Sequence, residues 1–417
     1  MSTNEASDKT KDHPEVTPPR LLIKRFIRTG GWQDYVAAVR QYTDMPRCTL
    51  AEYGTDSLAI SPEIRPYAHG WVRWQPWLLS EGYALHPRYA PGWVPSWVKD
   101  PSLNPCSCND YLHDVSHFNN MELYYNRLTP SKARAGGIAA VRLVDGAHMW
   151  LKRCTLQEVE IMAYLSSQPL RSDPRNHCCP LADILCPPML DTQAHWILVL
   201  PLVQHAESCP FMGTVGDVLQ CTIQLAEGLA FMHEQNIAHG GITKAKFMKS
   251  QLTPTSSPPA GVNGTSGLIA APNSSSAPIR YWYIDFDRAC RFPSVAERRA
   301  IQRAPEPRHP APEIRAAAPH DPFALDVFLF GHALEYWANT CRGLEFLRPL
   351  ISELVCDNPE DRLSAAEMLT RLREIASRCG PATTLAPYTY RKFDSAVKFA
   401  FLLGVNLAQH YLGKREG

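Results

Sequence analysis

Residues Ile237–Met248 read IAHGGITKAKFM, and after a long polar stretch Tyr281–Phe286 read YWYIDF. Upstream, Leu219–Glu234 (LQCTIQLAEGLAFMHE) repeats apolar residues at helical spacing. The order is a helix, a tight loop opening on His239, and an aromatic strand that ends on Asp285-Phe286. Between loop and strand, residues 249–280 are rich in Ser, Pro, Gly, Asn and Ala. Such a stretch buries too little apolar surface to join a core, and a disordered surface insert is expected.

Working outward, Ile138–Arg153 (IAAVRLVDGAHMWLKR) predicts two strands joined at Asp145-Gly146, with Lys152 near the end of the second. A helix follows over Leu156–Ser167, carrying Glu158 and Glu160. Trp196–Val203 (WILVLPLV) predicts an apolar strand running into a connector. On the C-terminal side come Ala311-Pro312-Glu313, then Asp326 within an apolar helix, then Arg362 in Asn358-Pro-Glu-Asp-Arg362.

In this order these residues resemble the catalytic core of eukaryotic protein kinases, over roughly residues 120–380. With the aromatic block that precedes them, they are similar to the divergent kinase-like proteins of mushroom-forming fungi. The resemblance implies an α+β, two-lobed protein kinase-like fold: a small β-rich N-lobe over 119–203, a hinge near Pro201–Gln204 and a larger α-helical C-lobe over 204–380. It also implies roles. Lys152 would hold the α- and β-phosphates of ATP and pair with Glu158, or with Glu160, although only five residues separate Lys152 from Glu158. Leu200 would stand at the gatekeeper position, with the Pro201 carbonyl, the Val203 N–H and Met248 around the base. Asp285 would be the metal ligand, followed by Phe286. Asp326 would hold the loop backbone, and Arg362 would pair with Glu313.

The departures fall where the chemistry would lie. In the family the loop reads H-R-D-x-x-x-x-N and the strand leads into D-F-G. Here the base position is Gly241, the metal-binding Asn is Lys246, the loop arginine is Gly240 and the last glycine is Asp287. Phosphoryl transfer needs Mg²⁺ on the phosphate oxygens and a carboxylate to orient the attacking hydroxyl. Loss of a general base costs about 10²–10⁴-fold in rate. An ammonium at Lys246 would repel a metal. His239, Gly241 and Lys246 therefore form a degenerate loop with no catalytic residue intact. The glycine-rich loop is reduced to Gly136 and Gly137, because the Cβ atoms of the flanking alanines would crowd a phosphate. Two compensations are open: Asp287 takes over a metal or base role, or Lys246 pairs with Asp285 or Asp287, stands in for the cation and closes the site without metal. The His-Gly pair also resembles small-molecule kinases that read H-G-D, whereas Glu313, Asp326 and Arg362 point to the protein-kinase branch.

The remaining sequence bounds the partners. The chain has 417 residues, 45% of them hydrophobic, and a net charge of +1, which argues against nucleic acid or an anionic membrane as the dominant partner. The first residues, MSTNEASDKTKDHPEVTPPR, are polar with no apolar h-region, so a cytoplasmic or nuclear, non-secreted chain with reduced thiols is expected from its 13 cysteines. Cys106-x-Cys108 and His177-Cys178-Cys179 lack the CxxC spacing of structural zinc sites, and ordinary thiols are expected. Residues 1–20 read as a disordered tail, and an amphipathic helix is expected within 21–55. The rest of an aromatic and Pro-rich extension runs to 118. Within its aromatic block Tyr67–Trp97, the Pro- and Gly-rich segment Arg88–Trp97 (RYAPGWVPSW) is expected to pack as an irregular strap rather than to line a ligand groove. A helical extension occupies 381–417, where Asp394–Leu412 carries too many polar residues for a membrane span to be favoured. The arginine-rich run Arg288–Arg308 is expected to be solvated, and its surroundings hold only Ser294 as a hydroxyl, so switching by phosphorylation there is not expected. The expected function is a pseudokinase acting as a binding or scaffolding module for an unidentified protein partner. The alternatives are a weak ATP-dependent Ser/Thr-type kinase using Lys152, Asp285 and Asp287, and a tail-anchored adaptor.

Overall fold

The structure, a computed structural model, describes residues 64, 68–104, 107–108, 110, 137–188, 196–207, 213–250, 279–303, 310–387 and 407. The expected tail, the helix expected within 21–55, Cys106, Gly136, residues 251–278 of the insert, Arg308 and all of Asp394–Leu412 except Leu407 lie outside the described residues.

The described chain is mixed α+β. It begins with helix α1 (His69–Ser80), which leads into an antiparallel sheet of five strands in the order β1-β2-β3-β5-β4. The strands are β1 (Tyr83–Leu85), β2 (Gly137–Arg142), β3 (His148–Cys154), β4 (Asp183–Leu185) and β5 (Trp196–Pro201), with helix α2 (Leu156–Ser166) between β3 and β4. Side chains alternate between the two faces of a strand. Met149, Leu151, Ile197 and Val199 therefore meet Trp71, Trp74 and Trp77 of α1 in one core. Trp150, Leu198 and Leu200 join the other core, shared with the helical part of the chain. The β2–β3 connection turns at Asp145-Gly146 as expected. Asp145 accepts from the Ala147 N–H at 3.1 Å and from Arg142 Nε at 2.9 Å, and Gly146 takes φ +69°.

The extension has a regular part and an irregular part, and it joins the sheet. Ahead of the Pro- and Gly-rich segment, Trp71, Trp74 and Trp77, spaced at three residues, ride one stripe of the regular helix α1, although Pro76 removes a helical donor. Only the Pro- and Gly-rich part is irregular, a 3₁₀ turn at Pro87–Tyr89 and a four-residue helix at Ser96–Lys99. The extension also supplies β1, which pairs with β2 from Tyr83↔Arg142 to Leu85↔Ala140. The Tyr83 hydroxyl donates to buried Asp183 at 2.9 Å, so the extension is bound into the sheet.

Beyond β5 come β6 (Gln204–His205), helix α3 (Val215–Glu234), β7 (Ile237–Ala238), β8 (Phe247–Lys249), β9 (Tyr281–Tyr283) and β10 (Cys290–Arg291). Helices α4 (Pro322–Thr340), α5 (Arg348–Leu354) and α6 (Ala365–Arg378) complete the helical part, with α3 against α6 and α4 against α5. Capping boxes start α3 (Thr214, Asp217) and α6 (Ser364, Glu367), satisfying donors that the first turn leaves open. The insert springs from a closed neck. Lys249 pairs with Tyr281, and the Ser250 N–H donates to the Arg280 carbonyl at 2.8 Å. Lys249 and Arg280, counted in the insert from the sequence, thus belong to the paired stem. No helix of the described residues is long and apolar enough to cross a membrane.

Candidate functional site

Short connections on either side of β8 and β9 place the singular residues. At the end of α3, Asn236 turns the chain with φ +58°, and β7 delivers His239-Gly240-Gly241. A 3₁₀ turn at Lys244–Lys246 then aims Lys246 at the residue two beyond the end of β9. That residue, Asp285, has φ +66°, a left-handed conformation uncommon for any side chain but glycine. The turn points its carboxylate back under the sheet.

There the charges converge. Lys152 is buried and its Nζ donates to Glu158 Oε1 and, at 2.5 Å, to Asp285 Oδ1. Lys246 Nζ lies 2.8 Å from Asp285 Oδ2, 3.1 Å from the Asp285 carbonyl and 3.3 Å from Asp287 Oδ1. Each oxygen of Asp285 thus has its own ammonium. Glu158 is the partner of Lys152 despite the short spacing: it is buried, whereas Glu160 is half-buried, and its Oε1 also accepts the Phe286 N–H at 3.0 Å. Thr155 caps α2 through the Glu158 N–H at 3.3 Å and so fixes this carboxylate's entry to the site.

The electrostatics follow from burial and these neighbours. Burial works against the Lys152 ammonium, but Asp285 and Glu158 outweigh it and hold its pKa well above the ordinary lysine value. Burial would raise Asp285; Lys152 and Lys246 reverse this and hold it far below the usual carboxylate range. Burial pushes Glu158 up, against the pull of Lys152.

The loop is braced from beneath. Asp326 on α4 is fully buried and accepts from the His239 N–H at 2.6 Å and the Gly240 N–H at 2.7 Å. His239 packs on Phe286 at a ring separation of 4.7 Å, and its Nε2 is 3.1 Å from the Ile284 carbonyl. Burial, with Lys246 nearby, lowers its pKa to about 4, so the imidazole is neutral and Nε2 is the donor. Further out, Arg362 forks onto Glu313 at 2.7 and 3.0 Å and onto the Cys356 carbonyl at 2.8 Å.

Gly240 and Gly241 are not merely shortened positions. Gly240 has φ +67°, and a Cβ there would lie 2.3 Å from Arg303 Nη2 and 2.5 Å from the Arg288 carbonyl. A Cβ at Gly241 would lie 3.0 Å from Lys246 Nζ and 3.2 Å from Arg288 Cδ. The space in front of the loop is filled by Lys246, Arg288 and Arg303. The expectation that the arginine run is solvated therefore fails for part of it. Arg303 Nη1 donates to the Gly240 carbonyl, Arg298 to the His233 carbonyl, and Arg291 lies 3.7 Å over the Tyr164 ring. Arginines pay for burial by capping main-chain carbonyls that the loop leaves open.

The other residues singled out from the sequence are mostly core. Leu200, Val203 and Met248 are buried and Pro201 is half-buried. Gly137 does not open a phosphate loop; it lies in β2, paired with Lys152, under the indole of Trp150. Cys178 and Cys179 are buried beside β9, where the Tyr283 N–H donates to the His177 carbonyl and the Cys179 N–H to the Tyr283 carbonyl. Burial raises both thiols, Cys179 to about 12, so neither is a ready thiolate. The roles of Trp150 and Arg303 went unseen in the sequence. A signal for Trp150 was present, since alternation puts it on the same strand face as Lys152. Arg303 gave none, because its partner lies 63 residues away.

Chemically, the cluster sets two lysines among three carboxylates, with no carboxylate at Gly241 and both oxygens of Asp285 held by ammonium groups. No protein-family model matches the chain, and a search of curated proteins finds no match to it.

Proposed function

We propose that the chain is a protein kinase-like pseudokinase: a two-lobed scaffold or binding module, cytoplasmic or nuclear, that does not transfer phosphate. The observation that carries this reading is Lys246. Its ammonium bridges Asp285 and Asp287 where a kinase would hold Mg²⁺, and it faces Gly241, which has no carboxylate to offer. Mg²⁺ takes oxygen ligands in near-octahedral geometry. With both Asp285 oxygens held by lysines, the residues present do not fit that ion. Asp287 is spent on Lys246 as well, which weighs against its taking over the role of base.

The surviving contacts support the resemblance at the level of scaffold: Lys152 with Glu158, Asp326 with the loop backbone, and Glu313 with Arg362. Each braces a conformation, and none needs a substrate. Radiolabel transfer from the γ-phosphate of ATP to a generic protein acceptor tests the proposal, with Asp285→Ala as the background. Equal counts for the two proteins are expected; wild-type transfer well above that background overturns the reading.

The intact Lys152–Glu158 pair favours one second reading, a weak ATP-dependent kinase that recruits metal only after Lys246 moves. The same assay with Mn²⁺ in place of Mg²⁺ separates it, since such an enzyme would show metal-dependent counts.

A further inference from the structure

The sheet face that carries Lys152 shows a second departure. It rests on the reading above that this is a nucleotide-type cleft. Trp150 precedes Lys152 by two residues on β3, so both leave the same face of the sheet. Across the ladder it stands opposite Ala139 on β2 and Leu200 on β5. Its indole is 5% exposed and joins the core that holds Leu200, Val203 and Met248, the residues expected around a base.

The indole lies directly on the Gly137 backbone. A Cβ at Gly137 would come within 2.4 Å of Trp150 Cε2 and Cζ2 and 2.5 Å of Nε1, closer than real side-chain carbons approach. Gly137 is not among the residues of positive φ, so backbone freedom is not what it contributes. Its lack of a side chain makes room for the ring. A flat aromatic body thus lies against the β2 main chain within the apolar core, and the chain itself supplies it.

We propose that Trp150 is the resident occupant of a base-sized slot, and that the ligand class of the slot is a flat, uncharged heteroaromatic such as indole or a purine. Wild-type protein would admit neither, because the site is already full. Removing the indole leaves a cavity bounded by Gly137, Ala139 and Leu200; apolar cavities of that kind bind ligands of matching shape.

The test is a thermal-shift titration of wild type and Trp150→Ala with indole and with adenosine at millimolar concentration. Trp150→Ala is expected to melt lower than wild type and to regain about 2 °C or more with each ligand, while wild type responds to neither. If Trp150→Ala does not fold, Trp150→Leu goes through the same titration. A wild-type shift with adenosine overturns the proposal. So does a variant that takes indole but not adenosine, which would make the cavity a closed core void, or one that takes neither. Phosphate transfer by wild type would defeat the pseudokinase reading, whereas an inert protein whose variant ignores adenosine defeats the filled slot alone.

Discussion

Lys246 Nζ stands 2.8 Å from one carboxylate oxygen of Asp285, and Lys152 Nζ stands 2.5 Å from the other. The two cations come from β3 and from the 3₁₀ turn before β8, elements 94 residues apart in number but joined through this one side chain. A partly buried carboxylate held in a left-handed backbone conformation needs such compensation, since ions leave water only when well paired. The site is closed electrostatically by the chain's own groups.

Removing one cation exposes the arrangement. Lys246→Ala is expected to lower stability by about 1–3 kcal/mol, because hydrogen bonds to Asp285 and Asp287 are lost without a replacement. Lys246→Asn, which supplies an oxygen where an ammonium stood, is expected to gain a rise in melting temperature with millimolar Mg²⁺ that wild type lacks. Calorimetric melts with and without Mg²⁺ check both. A Lys246→Ala protein as stable as wild type would mean that the bridge contributes nothing.

His239 sets an acid limit. Its imidazole has a folded pKa of about 4 against roughly 6.5 in an unfolded chain. The unfolded state therefore takes the proton first. The stability contribution is whole above about pH 6.5 and falls as pH drops toward 4, by up to about 1.4 kcal/mol per unit. His239→Gln should flatten the melting curve's pH dependence across that window while keeping an amide donor for the Ile284 carbonyl. Parallel slopes for the two proteins would contradict the buried, neutral imidazole.

Gly240 should tolerate no side chain. Gly240→Ala faces both a φ of +67° and Arg303 Nη2 at 2.3 Å. A loss of about 2 kcal/mol or more in denaturant unfolding is expected, since strain and overpacking each cost about 1 kcal/mol or more. Adding Arg303→Ala should recover part of that loss and at the same time expose Arg288–Arg303 to limited proteolysis. Simple additivity of the two substitutions would argue that the close approach is not real.

The Glu313–Arg362 fork is a structural ion pair with both side chains buried. Arg362→Ala is expected to cost about 3–5 kcal/mol, as it leaves a buried carboxylate unpaired. Glu313→Gln should be milder and should remove an acid-sensitive contribution. Burial would raise the Glu313 carboxyl, but Arg362 lowers it below the ordinary glutamate value. A depressed folded pKa gives stability that is present above about pH 4.3 and is lost as pH falls further. Melts from pH 5 to pH 3 read the difference.

Much of this frame was legible in the sequence because local chemistry announces it. The Asp145-Gly146 turn and the amphipathic run of α3 are written within a few residues of where they act. The contacts of Asp326, Glu313 and Arg362 were accessible only through resemblance, since no spacing rule links residues 49 or 87 apart. What escaped was tertiary. That Tyr83–Leu85 would become an edge strand rests on its pairing with Ala140–Arg142, and Tyr83 also reaches Asp183, 100 residues on. That Arg303 would fill the room left at Gly240, and Trp150 the room left at Gly137, depended on packing in which a missing side chain is a space for another. A glycine read alone looks like a loss. In both places it is half of a contact.

The central claim is that the cluster of Lys152, Lys246, Glu158, Asp285 and Asp287 satisfies itself and leaves no place for a metal-bound nucleotide. The most direct test is a thermal-shift titration of the wild-type protein with ATP, with Mg²⁺ and then with chelator. The account predicts no rise beyond about 1 °C in either series at millimolar nucleotide. A Mg²⁺-dependent rise of several degrees, the signature of a ligand well above its Kd, would contradict it.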